Sequence, residues 1–219
     1  GLAHRKGKKN DLDEFERINY KTSVNFFSYL DENGKLPDKI IYASTISVYG
    51  EQKNISSYDE SSSTRPLSPY ARTKLMAEDY ILKNYKNFSW ILRFAPVYST
   101  DFMININRRT KISNFFYQVG NGNNKLSLCN IKNIKLAVEQ IIENNVPPGV
   151  YNIADKNPYT YSELLRWQNA QIVLHIPKFI IIIILYIGVK INNTFLQENS
   201  VKLLTDNIYP SDKIRRFID

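Results

Sequence analysis

Apolar and polar positions follow two periods in the first half of the chain. From Asp11 to Leu30 the apolar residues Leu12, Phe15, Ile18, Val24 and Phe27 fall on or near one side of a helix, and Asn33-Gly34 supplies its stop. Lys39 to Ser44 is a short apolar run of strand length. Glu51 to Thr64 is polar and rich in serine, a loop able to lie over a site. Ser68 to Tyr85 reads as a helix, with Ser68 as cap and Pro69 at the first helical position, and Trp90 to Phe94 as a buried strand. Strands alternating with helices predict an α/β fold with a parallel sheet covered on both faces.

Beyond Tyr98 the pattern is irregular. Asn-rich turns precede a helix near Ile131 to Glu143, a strand at Val150 to Ala154 and a helix from about Thr160, where Thr160 and Glu163 fit the [ST]-x-x-E start signal. This part reads as a small lobe built onto the sheet, without internal repeats. Phe179 to Val189 is uninterrupted apolar sequence, bounded by Pro177-Lys178 and Lys190. It is about half of the ~20 residues a membrane-spanning helix needs. The first reading is a buried or dimer-facing helix. The alternative is a helix lying on a membrane surface, giving peripheral contact through residues 172–189.

The chemistry concentrates between Ile40 and Lys74. The strand ends in the hydroxyl cluster Ser44-Thr45-Ile46-Ser47, at the carboxyl end where open α/β sheets bind ligands. Tyr70 and Lys74 stand four apart at the start of the following helix and share one face. A free tyrosine, with a pKa of about 10, is a poor base at neutral pH. A neighbouring cation favours the phenolate, so a Tyr–Lys pair beside a hydroxyl such as Thr45 makes a proton-transfer group. The plainer alternative is a half-exposed ring beside a solvated amine.

Ile-Tyr-Ala-Ser-Thr-Ile-Ser-Val-Tyr-Gly (41–50) and Pro-Leu-Ser-Pro-Tyr-Ala-Arg-Thr-Lys (66–74) resemble the extended short-chain dehydrogenase/reductase family, more narrowly its nucleotide-sugar epimerases and dehydratases. Ile91 to Tyr98 resembles the family strand ending beside the nicotinamide. Gly149 to Ala154 resembles a strand of its substrate lobe, and Ser211 to Arg216 a segment near its C-terminus. The resemblance implies a Rossmann-like sheet over residues 1–98 and a mainly substrate-binding α+β lobe over 99–219, with segments able to return to the sheet. It implies Thr45, Tyr70 and Lys74 as catalytic residues. Asn19, Ser44, Tyr70, Lys74 and Ala95 would hold NAD, or NADP, with Lys74 on the nicotinamide ribose and also depressing the tyrosine pKa. Thr45, Pro96 and Lys125 would touch a UDP-sugar or related nucleotide sugar. A helix-structural role for Asn19 remains an equal alternative.

Three departures qualify the match. No G-x-x-G-x-x-G turn for pyrophosphate occurs, and Gly120-Asn121-Gly122 reads as a loop. Gly1-Leu2-Ala3-His4 resembles the tail of the family's fourth strand, so the chain is expected to be a fragment lacking an N-terminal portion. Pro96 and Ser99 replace an asparagine and a glycine of the 4-epimerase pattern, leaning toward 4-keto-sugar reductases and epimerases of surface polysaccharide assembly.

Composition narrows the alternatives further. The 219 residues are 43% hydrophobic and 23% charged, as in a soluble globular protein. One cysteine, Cys129 in an apolar run, excludes an internal disulfide framework and suits a reducing, cytoplasmic setting, with membrane association as the alternative. His4 and His175 are too few and too far apart for a zinc site or a Ser–His triad, and no metal is expected. The net charge of +8 gathers partly at Arg5–Lys9 and Lys213–Arg216, but no nucleic-acid-binding register accompanies it. An anionic pyrophosphate substrate suits the charge better. Phe26, Tyr29, Leu75, Tyr80 and Leu82 on two outer helix faces predict a homodimer. Two function classes stay open: hydride transfer at a sugar carbon, or a non-catalytic dinucleotide- or nucleotide-sugar-binding relative, including an inactive fragment.

Overall fold

The computed structural model describes residues 11–50, 52 and 54–219. The motif at Gly1–His4, the basic cluster Arg5–Lys9 and the side chain of Leu12 lie outside the described residues. The first helix, α1, joins an α-helical turn Asp11–Phe15, a π-helical turn Glu16–Lys21 and an α-helix Thr22–Glu32. It ends at Asn33, and Gly34 takes the left-handed φ of 62° that glycine adopts without a Cβ penalty. Strand β1 (Ile40–Thr45) follows, then a 3₁₀ turn Ile46–Tyr49, helix α2 (Pro69–Tyr85) and strand β2 (Ser89–Phe94). Ser68 caps α2 by accepting from the Ala71 N–H, and Pro69 opens the helix, as its sequence predicts.

The small elements come next: β3 (Val97–Tyr98), α3 (Ile104–Thr110), β4 (Lys111–Ile112), β5 (Phe115–Val119), β6 (Lys125–Leu126) and β7 (Cys129–Asn130). The chain then forms α4 (Ile131–Ile142), β8 (Gly149–Ile153), β9 (Tyr159–Thr160), α5 (Tyr161–Trp167) and β10 (Val173–Ile176). It ends with α6 (Lys178–Lys190), α7 (Thr194–Leu204) and α8 (Asp212–Ile218). The Thr160–Glu163 capping box at the start of α5 is present with both of its hydrogen bonds.

Strands β1, β2 and β8 form a parallel sheet in that order, with Thr45 opposite Phe94 and Phe94 opposite Ile153. β8 therefore belongs to the main sheet and not to the small lobe where its sequence resemblance had placed it. Its apolar run suits the central sheet because such a strand is covered on both faces. One face packs Ile40, Ile81, Tyr85 and Ile91 with Phe27 against α1 and α2. The other packs Trp90, Leu92 and Tyr151 against Ala137 and Ile141 of α4 and Ile214 of α8. The chain is thus an α/β protein with helices on both sides of a parallel sheet. A second sheet, β10-β5-β4, carries the small lobe, and its Tyr117 and Val119 pack on Ile181 of α6.

Two outer-face expectations change. The apolar run 179–189 is helical, but only Ile181, Leu185 and Gly188 of α6 are buried, so the helix is neither fully internal nor fully covered. Of the five residues read as a dimer face, Phe26 and Tyr29 are exposed. Leu75, Tyr80 and Leu82 are partly committed to the core clusters, because those turns of α2 also face the sheet.

Candidate active site

The carboxyl end of β1 places Thr45 where the strand turns into the 3₁₀ segment, and the Thr45 hydroxyl accepts from the Ser47 N–H at 3.2 Å. The chain can make this turn because Gly50 follows, at a φ of 64°. A Cβ there would lie 1.9 Å from the Arg65 carbonyl oxygen, so any other residue would displace the backbone. Helix α2 then brings Tyr70 across to the same strand end. Its phenol is half-buried, and burial raises its pKa, while a hydrogen bond from the Thr45 hydroxyl, which favours the phenolate, pulls the other way.

Lys74 lies one turn further along α2. Its ammonium sits 4.0 Å from the centroid of the Tyr42 ring, over the ring face. Desolvation brings its pKa down to about 8 against a smaller opposing attraction from Glu78. Lys74 has no hydrogen-bonding acceptor among the described residues, so its three N–H donors are half-buried without one. The expected depression of the Tyr70 pKa by Lys74 is not found. The cation is engaged by Tyr42, and burial governs the phenol.

Ser44 points elsewhere than its sequence reading suggested. Its hydroxyl donates to Glu78 Oε1, inside the protein. Glu78 is fully buried and also accepts from Arg93 of β2, at 2.7 Å from Nη2 and 3.1 Å from Nε. Strand alternation explains the change: Ile40, Tyr42 and Ser44 share the face toward α2, so Ser44 reaches Glu78 in the middle of the helix, while Thr45, at the strand end, meets Tyr70 in its first turn. Arg93 stacks on the Tyr49 ring at 4.9 Å, and the Tyr49 hydroxyl donates to Asn152 Oδ1 at 2.7 Å. Asn152 in turn donates to the carbonyls of Tyr58 and Pro210. The serine-rich loop is thereby tied to the C-terminal segment, where Tyr58 and Tyr209 stack.

Asn19 lies in the π-helical turn of α1, buried, and donates to the Thr73 hydroxyl at 3.4 Å. Thr73 itself donates to the carbonyls of Pro69 and Tyr70, so Asn19 braces the helical turn that carries Tyr70 and Lys74. π-Turns of this kind are frequent at functional sites. Ala95 is buried and gives its N–H to the Ile153 carbonyl, which continues the sheet past β2.

Pro96 and Ile46 begin a cleft that opens at the same sheet end, and Arg109, Leu126, Ser127, Tyr161, Lys202, Asn207 and Tyr209 complete its lining. The space is about 20 Å³, room for a single water. Lys125 is exposed on β6 and does not line the cleft. Arg109 and Lys202 are the cations that do, and no acidic side chain joins them. Asn207 donates its amide N–H groups to the carbonyls of Lys202 and Thr205, which fixes its orientation. Its Oδ1 is buried and has no donor among the described residues. Glu78, Arg93, Arg109, Lys202 and Asn207 were not singled out from sequence. For Arg109 a signal existed: from Phe102 to Val138 the chain has no acidic residue. Nothing comparable marks the others. Among the described residues no His/Cys/Asp/Glu group can hold a metal, and the buried Cys129 thiol is pushed well above its usual range by desolvation, which makes it inert.

No curated protein matches the chain. Among solved structures, the UDP-glucuronic acid 4-epimerase of Bacillus cereus, in complex with NAD, superposes with a TM-score of 0.62 at 24% identity, over 80% of this chain and 60% of its own. The UDP-Glc/GlcNAc 4-epimerase of Campylobacter jejuni gives 0.66 at 16% identity, over 99% and 69%. The dTDP-glucose 4,6-dehydratase of Bacillus anthracis, in complex with NAD, gives 0.64 at 15%, over 93% and 62%. At these identities the likeness establishes the fold, and the chain spans less than two thirds of the length of the first and third. The model of the NAD dependent epimerase/dehydratase family matches residues 1–154, the part that contains β1, α2, β2 and the Thr45, Tyr70 and Lys74 positions, and the chain belongs to that family.

Proposed function

We propose that this chain carries the acid–base site of an NAD(P)-dependent nucleotide-sugar epimerase or reductase. The observation that carries the reading is the meeting of the Tyr70 phenol with the Thr45 hydroxyl at the carboxyl end of β1, one helical turn from a half-buried Lys74 ammonium with no hydrogen-bond acceptor among the described residues. An acceptor-rich ligand suits that ammonium, because a buried cation without partners is costly. The hydroxyls of a nicotinamide ribose supply such acceptors, and so the residues present fit NAD. When bound, NAD supplies the hydride acceptor and donor.

The chain's own residues do the rest. Thr45 holds the sugar oxygen. Tyr70 takes its proton as the C–H hydride leaves, and returns it when hydride comes back. Burial raises its pKa, so the resting phenol is in the proton-donating form that serves the reductive half. In the oxidative half it would have to act as the phenolate, which the positive nicotinamide ring of bound NAD⁺ and the Lys74 ammonium would favour. Lys74 orients the ribose, and Asn19 braces the helical turn that holds both residues. Arg109 and Lys202, with the open acceptor of Asn207, suit a ligand that combines phosphate charge with hydroxyl or amide donors, such as a UDP-sugar. Pro96 in place of asparagine supports a 4-keto-sugar reductase or an epimerase serving surface polysaccharide assembly. The protein acts in the cytoplasm as a homodimer, with the exposed Phe26 and Tyr29 on its interface.

The test is incubation of the complete protein with NAD or NADP and a panel of UDP-sugars and 4-keto sugars, followed by chromatography of the sugars. Interconversion at one sugar carbon is expected. Tight NAD binding with no turnover of any sugar would put the non-catalytic reading ahead.

A further inference from the structure

Helix α6 combines two properties that conflict in water. Its sequence, Lys-Phe-Ile-Ile-Ile-Ile-Ile-Leu-Tyr-Ile-Gly-Val-Lys, is apolar on every side, as in a helix that is wholly enclosed. Yet only one stripe is enclosed. Ile181 packs on the small sheet and Gly188 against Leu196 of α7, while Phe179, Ile182, Ile183, Tyr186, Ile187 and Val189 stand outward. Phe179 is 62% exposed and Tyr186 is 59% exposed. The same lobe presents a second apolar cluster. Ile112 is opposite Phe115 across β4 and β5, and Ile172 precedes the β10 residue opposite Phe116, so all three meet at one end of the small sheet. Phe115 is 70% and Ile172 is 82% exposed. Monomeric soluble proteins rarely leave an apolar helix face as large as that of α6 uncovered.

The charge around this surface selects its partner. From Leu164 to Gln197 the chain has no acidic residue, and its cations are Arg166, Lys178 and Lys190. The other stretch of the lobe, Phe102 to Val138, is also free of acids and contributes Arg108, Arg109 and Lys111 among its cations. Lys178 and Lys190 stand at the two ends of α6, and Lys190 lies over the Tyr186 ring at 4.8 Å. Lys111 likewise lies over Phe116 at 4.5 Å. An exposed apolar helix face with a lysine at each end suits a membrane surface, because long cationic side chains at its margins can reach headgroups. No described helix is long and apolar enough to cross a membrane.

We propose that α6 forms a docking surface for an anionic lipid bilayer, with its outer face sunk among the headgroups and Lys178 and Lys190 on lipid phosphates. The docking is independent of the hydride-transfer reading.

The experiment is flotation of the complete protein with phosphatidylcholine vesicles, with and without about one third phosphatidylglycerol. The protein is expected to float with the anionic vesicles, less so as salt rises. Ile183→Glu with Tyr186→Glu, both outward and so compatible with the fold, is expected to lower partitioning ~10-fold or more. Lys178→Gln and Lys190→Gln are expected to lower it about fivefold each at low salt. Circular dichroism and light scattering accompany each variant. Absence of flotation with either vesicle overturns the proposal, as does flotation that the glutamate variants leave unchanged. A wild-type dimer that the glutamate variants convert to monomer, without vesicle binding, assigns the surface to a second copy instead.

Discussion

Replacing Glu78 by Gln removes the one negative charge from a cluster made of Ser44, Glu78 and Arg93. The side chains of Arg93 and Glu78 are 7% and 0% exposed, and three N–H···O contacts between 2.7 and 3.3 Å join them. Breaking such a pair leaves an uncompensated buried guanidinium, which costs about 3–5 kcal/mol. Glutamine keeps one neutral oxygen and sets an N–H₂ donor against Arg93 where Oε2 accepted, so the loss should fall at about 3 kcal/mol or above. The Arg93 stack on Tyr49, and through Tyr49 the Asn152 tie to the loop, should loosen with it. Urea unfolding followed by circular dichroism measures the effect. The cycle is completed with Arg93→Met and with Glu78→Leu/Arg93→Met. A pair replaced on both sides by apolar groups is expected to recover most of the stability. A Glu78→Gln variant within about 1 kcal/mol of wild type would refute the reasoning. So would a double variant as unstable as the single ones.

Further outcomes follow from the site. Lys74 has a folded-state pKa of about 8 against an ordinary 10.5, so between these values the unfolded chain holds the extra proton and stability rises with pH. Lys74→Met should abolish that rise and stabilise the protein at neutral pH by about 2–3 kcal/mol, read from urea midpoints at pH 7 and near pH 10; parallel pH slopes in the two proteins would contradict the assignment. Arg109→Ala should raise KM for a UDP-sugar about 10- to 100-fold, the worth of a charge-assisted hydrogen bond, with kcat little changed; an unaltered KM would remove Arg109 from the substrate cleft.

The sheet was legible where one local signal sufficed. The apolar runs of β1 and β2, the Ser68-Pro69 start of α2, the Asn33-Gly34 stop and the Thr160–Glu163 box each state their structure within a few residues. β8 was visible as a strand but not as a member of the main sheet, because partner choice depends on residues some sixty positions away. The Tyr70–Lys74 spacing gave the shared helix face, and the strand end gave Thr45. The destination of Ser44 depended on Glu78, a residue whose burial no local pattern announces. For the same reason the Tyr70 pKa could not be read from the Tyr70–Lys74 spacing: burial of the phenol raises it, and burial likewise brings the Lys74 pKa down against Glu78. Nothing in Glu16–Lys21 signals a π-helical turn.

Turnover of Tyr70→Phe against pH, with NAD affinity determined separately, tests the central claim most directly. The phenol is the only group at the end of β1 assigned to move a proton, and its removal leaves the ring, the Lys74 ammonium and the fold in place. Turnover on the sugar that the wild-type protein converts should fall ~10²–10⁴-fold at every pH, with NAD affinity nearly unchanged. Wild-type turnover in the Tyr70→Phe variant would contradict the account.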